Sequence, residues 1–412
     1  MDLIQEFKER ELLAQCTNLE AVEQLLKNKK FTFYIGFDPT ADSLHIGHFM
    51  QMKTIKYFQE AGHRAIALFG GGTTMVGDPT GKTDMRKMLS REEIENNIVS
   101  FKKQAAKYID VSEGKAIFVN NADWLCELNY VEFLREVGVH YTINRMLAAE
   151  SVKSRLEKGL TFLEFNYMLM QGYDFYKLYN DYDCILQLGG DDQWSNIISG
   201  VELIRRKDAK EAYGMTFAIL PDASGKKMGK TEKNAVWIDP DKTLPYDFYQ
   251  FWRNTADSLV IKYMKMLTRM SMEEIKEFEG YRDNKINIAK ERLAFEVTKI
   301  VHNEDEAKKA QEAAKALFAA GKSGSSSNEN MPTTILTEDN FIDGKISILD
   351  LLTVGKLALS KSEAKRLIDQ GGIYIGEEKI TQYSFAAGKS QIEEKDLIIK
   401  KGKKIFHRFI CE

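Results

Sequence analysis

Two short runs carry the side chains best suited to phosphate chemistry. His45-Ile46-Gly47-His48 follows Asp38-Pro39-Thr40-Ala41-Asp42-Ser43-Leu44, after an apolar run and before a helical pattern. Residues three apart on a first helical turn share a face. Both imidazoles can then donate to phosphate oxygens, with the helix N-terminus adding its dipole. Gly47 lacks a side chain and lets a base or ribose approach the backbone. A metal site fits less well, because no Cys or carboxylate stands at ligand spacing. Two surface histidines on a helix are the plain alternative. Lys227-Met228-Gly229-Lys230-Thr231 lies in a Gly- and Lys-rich loop and offers mobile cations. Neither this loop nor the one ending in Gly81-Lys82-Thr83 is a P-loop. That motif needs four residues between its glycines, whereas Gly225/Gly229 and Gly77/Gly81 each enclose three.

Other polar residues fall in patterned positions. Tyr167, Gln171 and Asp174 sit at i, i+4 and i+7, one helix face. Met168, Leu169 and Met170 make that helix half-buried, so its polar groups need partners. An exposed polar stripe is the alternative. Gly36, Asp38, Gly190 and Asp192 fall at expected strand ends. There glycines permit close approach and Asp192 can accept from a ribose hydroxyl. Near the C-terminus, Lys361, Lys365 and Arg366 project from one expected helix, and Lys400, Lys401, Lys403 and Lys404 form a second cluster. Such cations suit phosphate contacts with structured RNA or a plain solvated face.

The elements that must position these residues have a β-α-β rhythm. Phe31–Phe37 reads as a strand, 46–62 as a helix and Arg64–Phe69 as a strand ended by Gly70-Gly71-Gly72. Ser90-Arg91-Glu92-Glu93 is a capping box that opens a long helix. Lys115–Asn120 and Cys184–Leu188 read as further strands, with a helical insertion over 128–180. This order predicts a Rossmann-like parallel sheet with ligands at the carboxyl ends of its strands. From 244 to 320 the pattern is helical. Residues 321–328 have linker composition, and a small α+β module begins near Gly344. The expected domains are a catalytic domain over 1–235, an all-α domain over 236–320, a linker over 321–343 and an RNA-binding module over 344–412.

Composition sets the class. The chain has 412 residues, 43% apolar and 29% charged, typical of globular proteins. No apolar run is long enough to cross a membrane, and the opening Met1-Asp2-Leu3-Ile4-Gln5-Glu6 lacks a signal-peptide core. Four scattered cysteines without a CxxC favour free thiols in a reducing cytoplasm. The net charge of −3 is uneven: residues 345–412 hold 13 Lys and Arg against 9 Asp and Glu. A basic tail on an acidic body fits nucleic-acid contact by the tail.

Taken together, His45–His48 early and Lys227–Thr231 later resemble the HIGH and KMSKS signatures of class I aminoacyl-tRNA synthetases. Tyr34-Ile35-Gly36-Phe37-Asp38-Pro39-Thr40, Gly77-Asp78-Pro79-Thr80-Gly81-Lys82, Tyr167 to Asp174 and Gly189-Gly190-Asp191-Asp192-Gln193-Trp194 are similar to the bacterial tyrosyl branch. The similarity runs along essentially the whole chain. Residues 346–376, with Ser360-x-x-Glu363-Ala364, resemble an S4 RNA-binding domain. Asp191 and Ser195 depart from the Ser and Gly often found in the family.

The resemblance implies tyrosine activation by Mg-ATP, then tyrosyl transfer to the 3′-terminal ribose of tRNA(Tyr), by a homodimer with one tRNA across both subunits. It implies no tightly bound metal or organic cofactor. His45 and His48 would contact the α- and γ-phosphates. Lys82, Arg86, Lys227 and Lys230 would grip the leaving pyrophosphate, with Thr231 as a hydroxyl donor. Tyr34 and Asp174 would bind the phenol hydroxyl, and Tyr167, Gln171 and Asp78 the ammonium group. Gln193 would lie near the carboxylate or α-phosphate. Ile35 would offer only backbone to ribose, and Gln187 would stand behind the site. A tryptophan-specific relative, a small-molecule nucleotidylyltransferase and a non-catalytic RNA-binding descendant are the competing readings. Tyr34 with Asp174, the basic tail and the intact signatures argue against them in turn.

Overall fold

The computed structural model describes residues 2–80, 88–156, 159–225, 227–228, 235–320, 332–376, 378–394, 396–402 and 405–411. They form two compact units, Met1–His302 and Asn303–Glu412.

The first unit opens with α1 (Leu3–Glu9), β1 (Leu13–Cys16), α2 (Leu19–Asn28), β2 (Thr32–Phe37), α3 (Ile46–Glu60), β3 (Arg64–Phe69), α4 (Thr73–Val76), α5 (Arg91–Ala105), β4 (Ala116–Asn120) and α6 (Ala122–Leu125). The insertion follows as α7 (Tyr130–Glu136), α8 (Ile143–Ala148), α9 (Glu150–Leu156), α10 (Phe162–Phe165) and α11 (Tyr167–Tyr182). The sheet resumes with β5 (Cys184–Gly190), α12 (Trp194–Asp208) and β6 (Tyr213–Phe217). Helices α13 (Pro245–Arg253), α14 (Val260–Leu267), α15 (Met272–Glu279) and α16 (Ile286–Val301) complete the unit.

The sheet order is β1-β6-β5-β2-β3-β4. Strands β2 to β6 are parallel, and Phe33, Ile35, Ile66, Leu68, Leu186 and Leu188 are buried within them. Helices on both faces explain these near-continuous apolar strands. The parallel sheet expected from sequence carries one exception. Edge strand β1 runs antiparallel to β6 and covers backbone groups that would otherwise lie unpaired at the sheet edge. From β2 the chain proceeds to β3 and β4 on one side, then returns to β5 and β6 on the other. The switch point therefore lies between β2 and β5, where doubly wound sheets bind ligands.

Capping chemistry sets the helix starts. Ser90 and Glu93 close a capping box on α5, as do Ser271 and Glu274 on α15, each satisfying two otherwise unpaired N–H groups. In the insertion, Arg155 and Glu164 form an ion pair, with both side chains 2% exposed. Thr161 also donates to Glu164. The two contacts from Arg155 and the one from Thr161 offset part of the cost of burying this pair.

The second unit contains α17 (Glu304–Ala320), β7 (Thr333–Leu336), β8 (Lys345–Ser347), α18 (Ile348–Val354), α19 (Lys361–Asp369), β9 (Ile373–Ile375), β10 (Glu378–Lys379), β11 (Ala386–Gly388), α20 (Lys389–Glu394), β12 (Leu397–Lys401) and β13 (Ile405–Cys411). Its five-stranded sheet, β10-β9-β12-β13-β7, packs Ile373, Ile399 and Phe409 against Leu351, Leu352 and Ile368. Two features differ from the expected boundaries. Strand β7 lies in the span read as linker, yet pairs in parallel with β13. The unit boundary falls at 302/303, inside the span read as one helical domain. There Asn303 leaves the helical backbone (φ 150°) and its side chain accepts from Glu306 N (2.9 Å), which starts a new helix.

Candidate active site

The switch point brings together most of the residues singled out by sequence. Tyr34 on β2 is 1% exposed and lies beside Gln187 on β5. Its ring centroid is 5.4 Å from that of Phe175, the residue after Asp174 on α11. Asp174 is 1% exposed. Its two oxygens accept from Asn121 Nδ2 (2.9 Å) and Trp124 Nε1 (2.7 Å). Burial pushes its carboxyl up to about 8. The Asn121 and Trp124 hydrogen bonds oppose that rise, and the Asp38 charge adds to it. Burial also raises the Tyr34 phenol well above its ordinary value, helped by the charge of Asp174. Among the described residues, Tyr34 Oη, Gln171 Oε1 and Gln187 Oε1 are buried without a hydrogen-bond partner. Buried polar atoms are normally paired. Unpaired ones grouped at a switch point mark a surface built for a polar ligand.

The network extends from Asp174. Asn121 Nδ2 also donates to Thr73 Oγ1 (3.0 Å), and that hydroxyl donates to Asp38 Oδ1 (2.8 Å). Tyr167 Oη donates to Asp38 Oδ2 (2.8 Å). Asp38 therefore stands in the Tyr167–Asp174 network, whereas sequence grouped it with Gly36, Gly190 and Asp192. Gly70 makes room for this arrangement. A Cβ there would lie 2.1 Å from Asp38 Oδ1 and 2.3 Å from Thr73 Oγ1. On the other flank, Asp78 Oδ2 accepts from Gln193 Nε2 (2.8 Å), and Gln193 Oε1 accepts from Asn196 Nδ2 (3.1 Å).

His45 and His48 sit at the start of α3, on the loop leaving β2. His45 Nδ1 accepts from Gly47 N (3.0 Å), and His48 Nδ1 accepts from His45 N (3.2 Å). The rings stack with centroids 3.9 Å apart. A nitrogen that accepts carries no proton, so each ring bears its proton on Nε2. The helix N-terminus thus sets the orientation of both rings through Nδ1. Burial, then the charges of His45 and Lys227, lowers the His48 pKa well below its usual value, so the ring is neutral. Gly47 is required here, because a Cβ would lie 2.8 Å from His45 Cε1.

Lys227 Nζ pairs with Asp192 Oδ2 at 2.6 Å, and its charge reaches His48. The two signature runs therefore meet in one site. Gly36 is the exposed position of β2, and a Cβ there would meet only Leu68, at 3.5 Å. Gly190 is tighter: a Cβ would lie 2.7 Å from Asp192 Oδ1. Asp191, where the chain departs from the family pattern, accepts from Gln15 Nε2 (2.7 Å) and Thr216 Oγ1 (2.8 Å). Lys82, Arg86, Lys230 and Thr231 lie outside the described residues.

Sequence reasoning missed Asn121, Trp124 and Thr73. Asn121-Ala122-Asp123-Trp124 follows a strand and looks like an ordinary turn. The one available signal was an indole and an amide just after a strand whose carboxyl end faces ligands. In the second unit, Lys361, Lys365 and Arg366 are exposed on α19. Ser360 caps that helix through Glu363 N (3.2 Å). Lys361 pairs with Asp350, and Lys365 lies over the Tyr383 ring.

Comparison with known proteins fits this geometry. The family described as tRNA synthetases class I (W and Y) matches residues 26–319, and a tyrosine–tRNA ligase C-terminal domain matches 325–409. The chain is 59% identical to a tyrosine–tRNA ligase of Acetivibrio thermocellus, covering 97% of each chain. It is 54% identical to one from Caldanaerobacter subterraneus subsp. tengcongensis, covering 100% of each. Among solved structures, a C-terminally truncated mitochondrial tyrosyl-tRNA synthetase of Aspergillus nidulans aligns with a TM-score of 0.67 at 28% identity, covering 77% of this chain and 94% of that one. A tryptophanyl-tRNA synthetase of Encephalitozoon cuniculi shares the fold at 12% identity and a TM-score of 0.55, covering 74% and 87%. The chain belongs to the class I tRNA synthetases of the tyrosine and tryptophan group, and within it to the tyrosine–tRNA ligase family.

Proposed function

We infer that the protein joins tyrosine to tRNA in two steps, with ATP as the activating substrate. In the first, a tyrosine carboxylate oxygen attacks the α-phosphorus of ATP. The new bond is O–Pα, the bond broken is Pα–O to the β-phosphate, and pyrophosphate leaves with the electron pair. In the second, a ribose hydroxyl at the tRNA 3′ end attacks the tyrosyl carbonyl and releases AMP. The amino acid is its own nucleophile, so the protein's task is positioning and charge stabilisation. MgATP is the substrate form in this reading, its cation held by phosphate oxygens.

The observation that carries the tyrosine reading is Asp174. It is a buried carboxylate held rigid by two N–H donors and faces a phenol oxygen, Tyr34 Oη, that has no partner of its own. A substrate hydroxyl can donate to Asp174 and accept from Tyr34, whereas phenylalanine leaves Tyr34 Oη without a partner. Tyrosyl-tRNA synthetases are the standard illustration of such discrimination without editing. Tyr167, Gln171 and Asp78 are assigned to the ammonium group, and Gln193 to the carboxylate or α-phosphate. His48 supplies a neutral Nε2–H donor to the phosphates, and His45 a second imidazole. ATP binding exchanges the Lys227–Asp192 pair, giving Lys227 to pyrophosphate and Asp192 to ribose. Lys82, Arg86, Lys230 and Thr231 are assigned to the same leaving group, and Gly36, Asp38 and Gly190 to the nucleotide side.

The exposed cations of α19 support tRNA contact by the C-terminal module. Exposed Tyr130, Val131, Val139, Ile143 and Phe162 in the insertion support a homodimer, since one chain leaves these apolar groups in water. No described helix is long and apolar enough to cross a membrane. We place the protein in the cytoplasm.

The tyrosine reading has a pH signature. A bound phenol donates to the Asp174 carboxylate and stabilises its anion. Binding therefore releases the proton that a carboxyl raised to about 8 still holds near neutrality. Tyrosine affinity is expected to rise roughly tenfold from pH 6.5 to 8.5, then fall as the substrate phenol ionises near pH ~10. Phenylalanine, which cannot donate, should show no such rise. Equilibrium titration of both amino acids across that range checks this. A flat tyrosine profile would remove Asp174 from the hydroxyl site.

A further inference from the structure

The loop that carries Lys227 has a defined base. Met228 N donates to Leu220 O (2.9 Å), and Pro221 faces Lys227 in an antiparallel bridge. Asp222 Oδ1 accepts from Ser224 N (2.8 Å) and Oγ (2.7 Å), and Gly225, at φ 80°, donates its N–H to Asp222 O. Lys227 thus stands on the return arm of a small hairpin. The hairpin is fastened to the helices behind it by the Tyr263 hydroxyl on α14, which donates to Pro221 O. Tyr263 is 2% exposed and packs edge-on against Trp252, with centroids 5.6 Å apart.

Helix α14 is itself braced at its other end. Lys53 Nζ on α3 donates to Met266 O (2.6 Å) and Thr268 O (2.9 Å). The Arg10 guanidinium donates to Lys265 O (3.1 Å), Thr268 O (3.4 Å) and Met270 O (2.7 Å). Both side chains are buried, at 6% and 4% exposure, and burial, then the charges of Arg10 and Arg269, lowers the Lys53 pKa well below its usual value. Buried charges are stable only with strong partners, and the carbonyl end of a helix attracts cations. Breaking the Arg10 contacts would strand a guanidinium charge, so the brace is stiff. Helix α3 is the one that begins at His45 and His48. Through α14, the helix of the two histidines is joined to the base of the lysine loop.

We propose that Tyr263 is a positioning residue for Lys227: its hydroxyl pins the hairpin base to α14 and so sets where the Lys227 ammonium stands relative to His48 and Asp192. The inference rests on the adenylate-forming role assigned to Lys227 above. Tyr263→Phe keeps the ring and its packing and deletes only the hydrogen bond. With one net hydrogen bond lost, kcat for tyrosine-dependent pyrophosphate exchange should fall about five- to tenfold, with the tyrosine Kd unchanged.

The decisive comparison is a cycle with Lys227→Met. If Tyr263 acts through the lysine, Tyr263→Phe should have little further effect once the lysine is gone. The same fold loss in both backgrounds, a parallel loss of tyrosine affinity, or no loss at all would overturn the proposal. Wild-type protein that binds tyrosine but performs no exchange would instead overturn the adenylation reading, and this inference with it.

Discussion

Asp174→Asn should cost tyrosine activation about 10²- to 10⁴-fold in kcat/KM, from losing a hydrogen bond to a charged group and stranding a buried donor. Both Asp174 oxygens accept N–H groups, one from Asn121 and one from Trp124. An amide has only one acceptor oxygen. Its NH2 must face one of those donors, and the oxygen left over no longer carries the charge that draws the phenol. The loss should not reflect unfolding. The wild-type carboxyl is raised to about 8, so the folded state holds a proton that the unfolded state releases. That difference removes stability progressively as pH rises from about 4 to about 8, and the amide escapes it. Thermal unfolding at pH 8 should leave the variant close to wild type, which separates a binding defect from a folding one. Discrimination against phenylalanine should collapse in parallel. A variant that still activates tyrosine efficiently would show that the hydroxyl is read elsewhere.

His48→Ala should lower kcat for adenylate formation about 10²- to 10³-fold, the usual cost of deleting one preorganised transition-state donor, while tyrosine Kd stays unchanged. His48 is removed from the amino-acid pocket and joined to the lysine loop by the charge of Lys227. Its Nδ1 also caps α3 by accepting from His45 N, so the variant should lose about 1 kcal/mol of stability as well. His48→Asn separates the two effects. Its carbonyl can accept from the backbone while its amide donates toward phosphate, and it should recover both the cap and part of kcat. Burial keeps the ring neutral, so protonation of His48 should not limit the rate between pH 6 and 8. A large loss of tyrosine affinity in His48→Ala would place the residue in the wrong half of the site.

The sequence made one layer of this site legible and left the layer behind it obscure. The β-α-β rhythm pointed to the carboxyl ends of parallel strands, because such strands are apolar on both faces and are closed by glycines such as Gly70 and Gly190; the strand order then places the switch point between β2 and β5. The histidine and lysine runs could be paired because their chemistry is explicit in residue type. The i, i+4, i+7 spacing put Tyr167, Gln171 and Asp174 on one face of α11. Asn121 and Trp124 were not visible, because nothing in a short turn after a strand reveals which distant carboxylate it meets. Asp38 was legible as a strand-end carboxylate, but its hydrogen bonds from Thr73 and Tyr167, which tie it to the Asp174 network, come from distant segments that sequence does not connect. Nothing in the local sequence marks Arg10, just after α1, or Lys53, in α3, as buried. Only the carbonyl end of α14, more than 200 residues away in sequence, explains their burial. Short strands β1 and β7 were likewise missed, since four residues without clean alternation carry no period.

The central claim is that one divided site, assembled from the His45–His48 turn and the Lys227 loop, makes an adenylate of tyrosine. Pyrophosphate exchange into ATP, run separately with tyrosine, phenylalanine and tryptophan, tests it most directly. Rapid exchange with tyrosine and almost none with the other two is expected. Exchange with tryptophan alone, equal exchange with phenylalanine, or none with any of the three would contradict it.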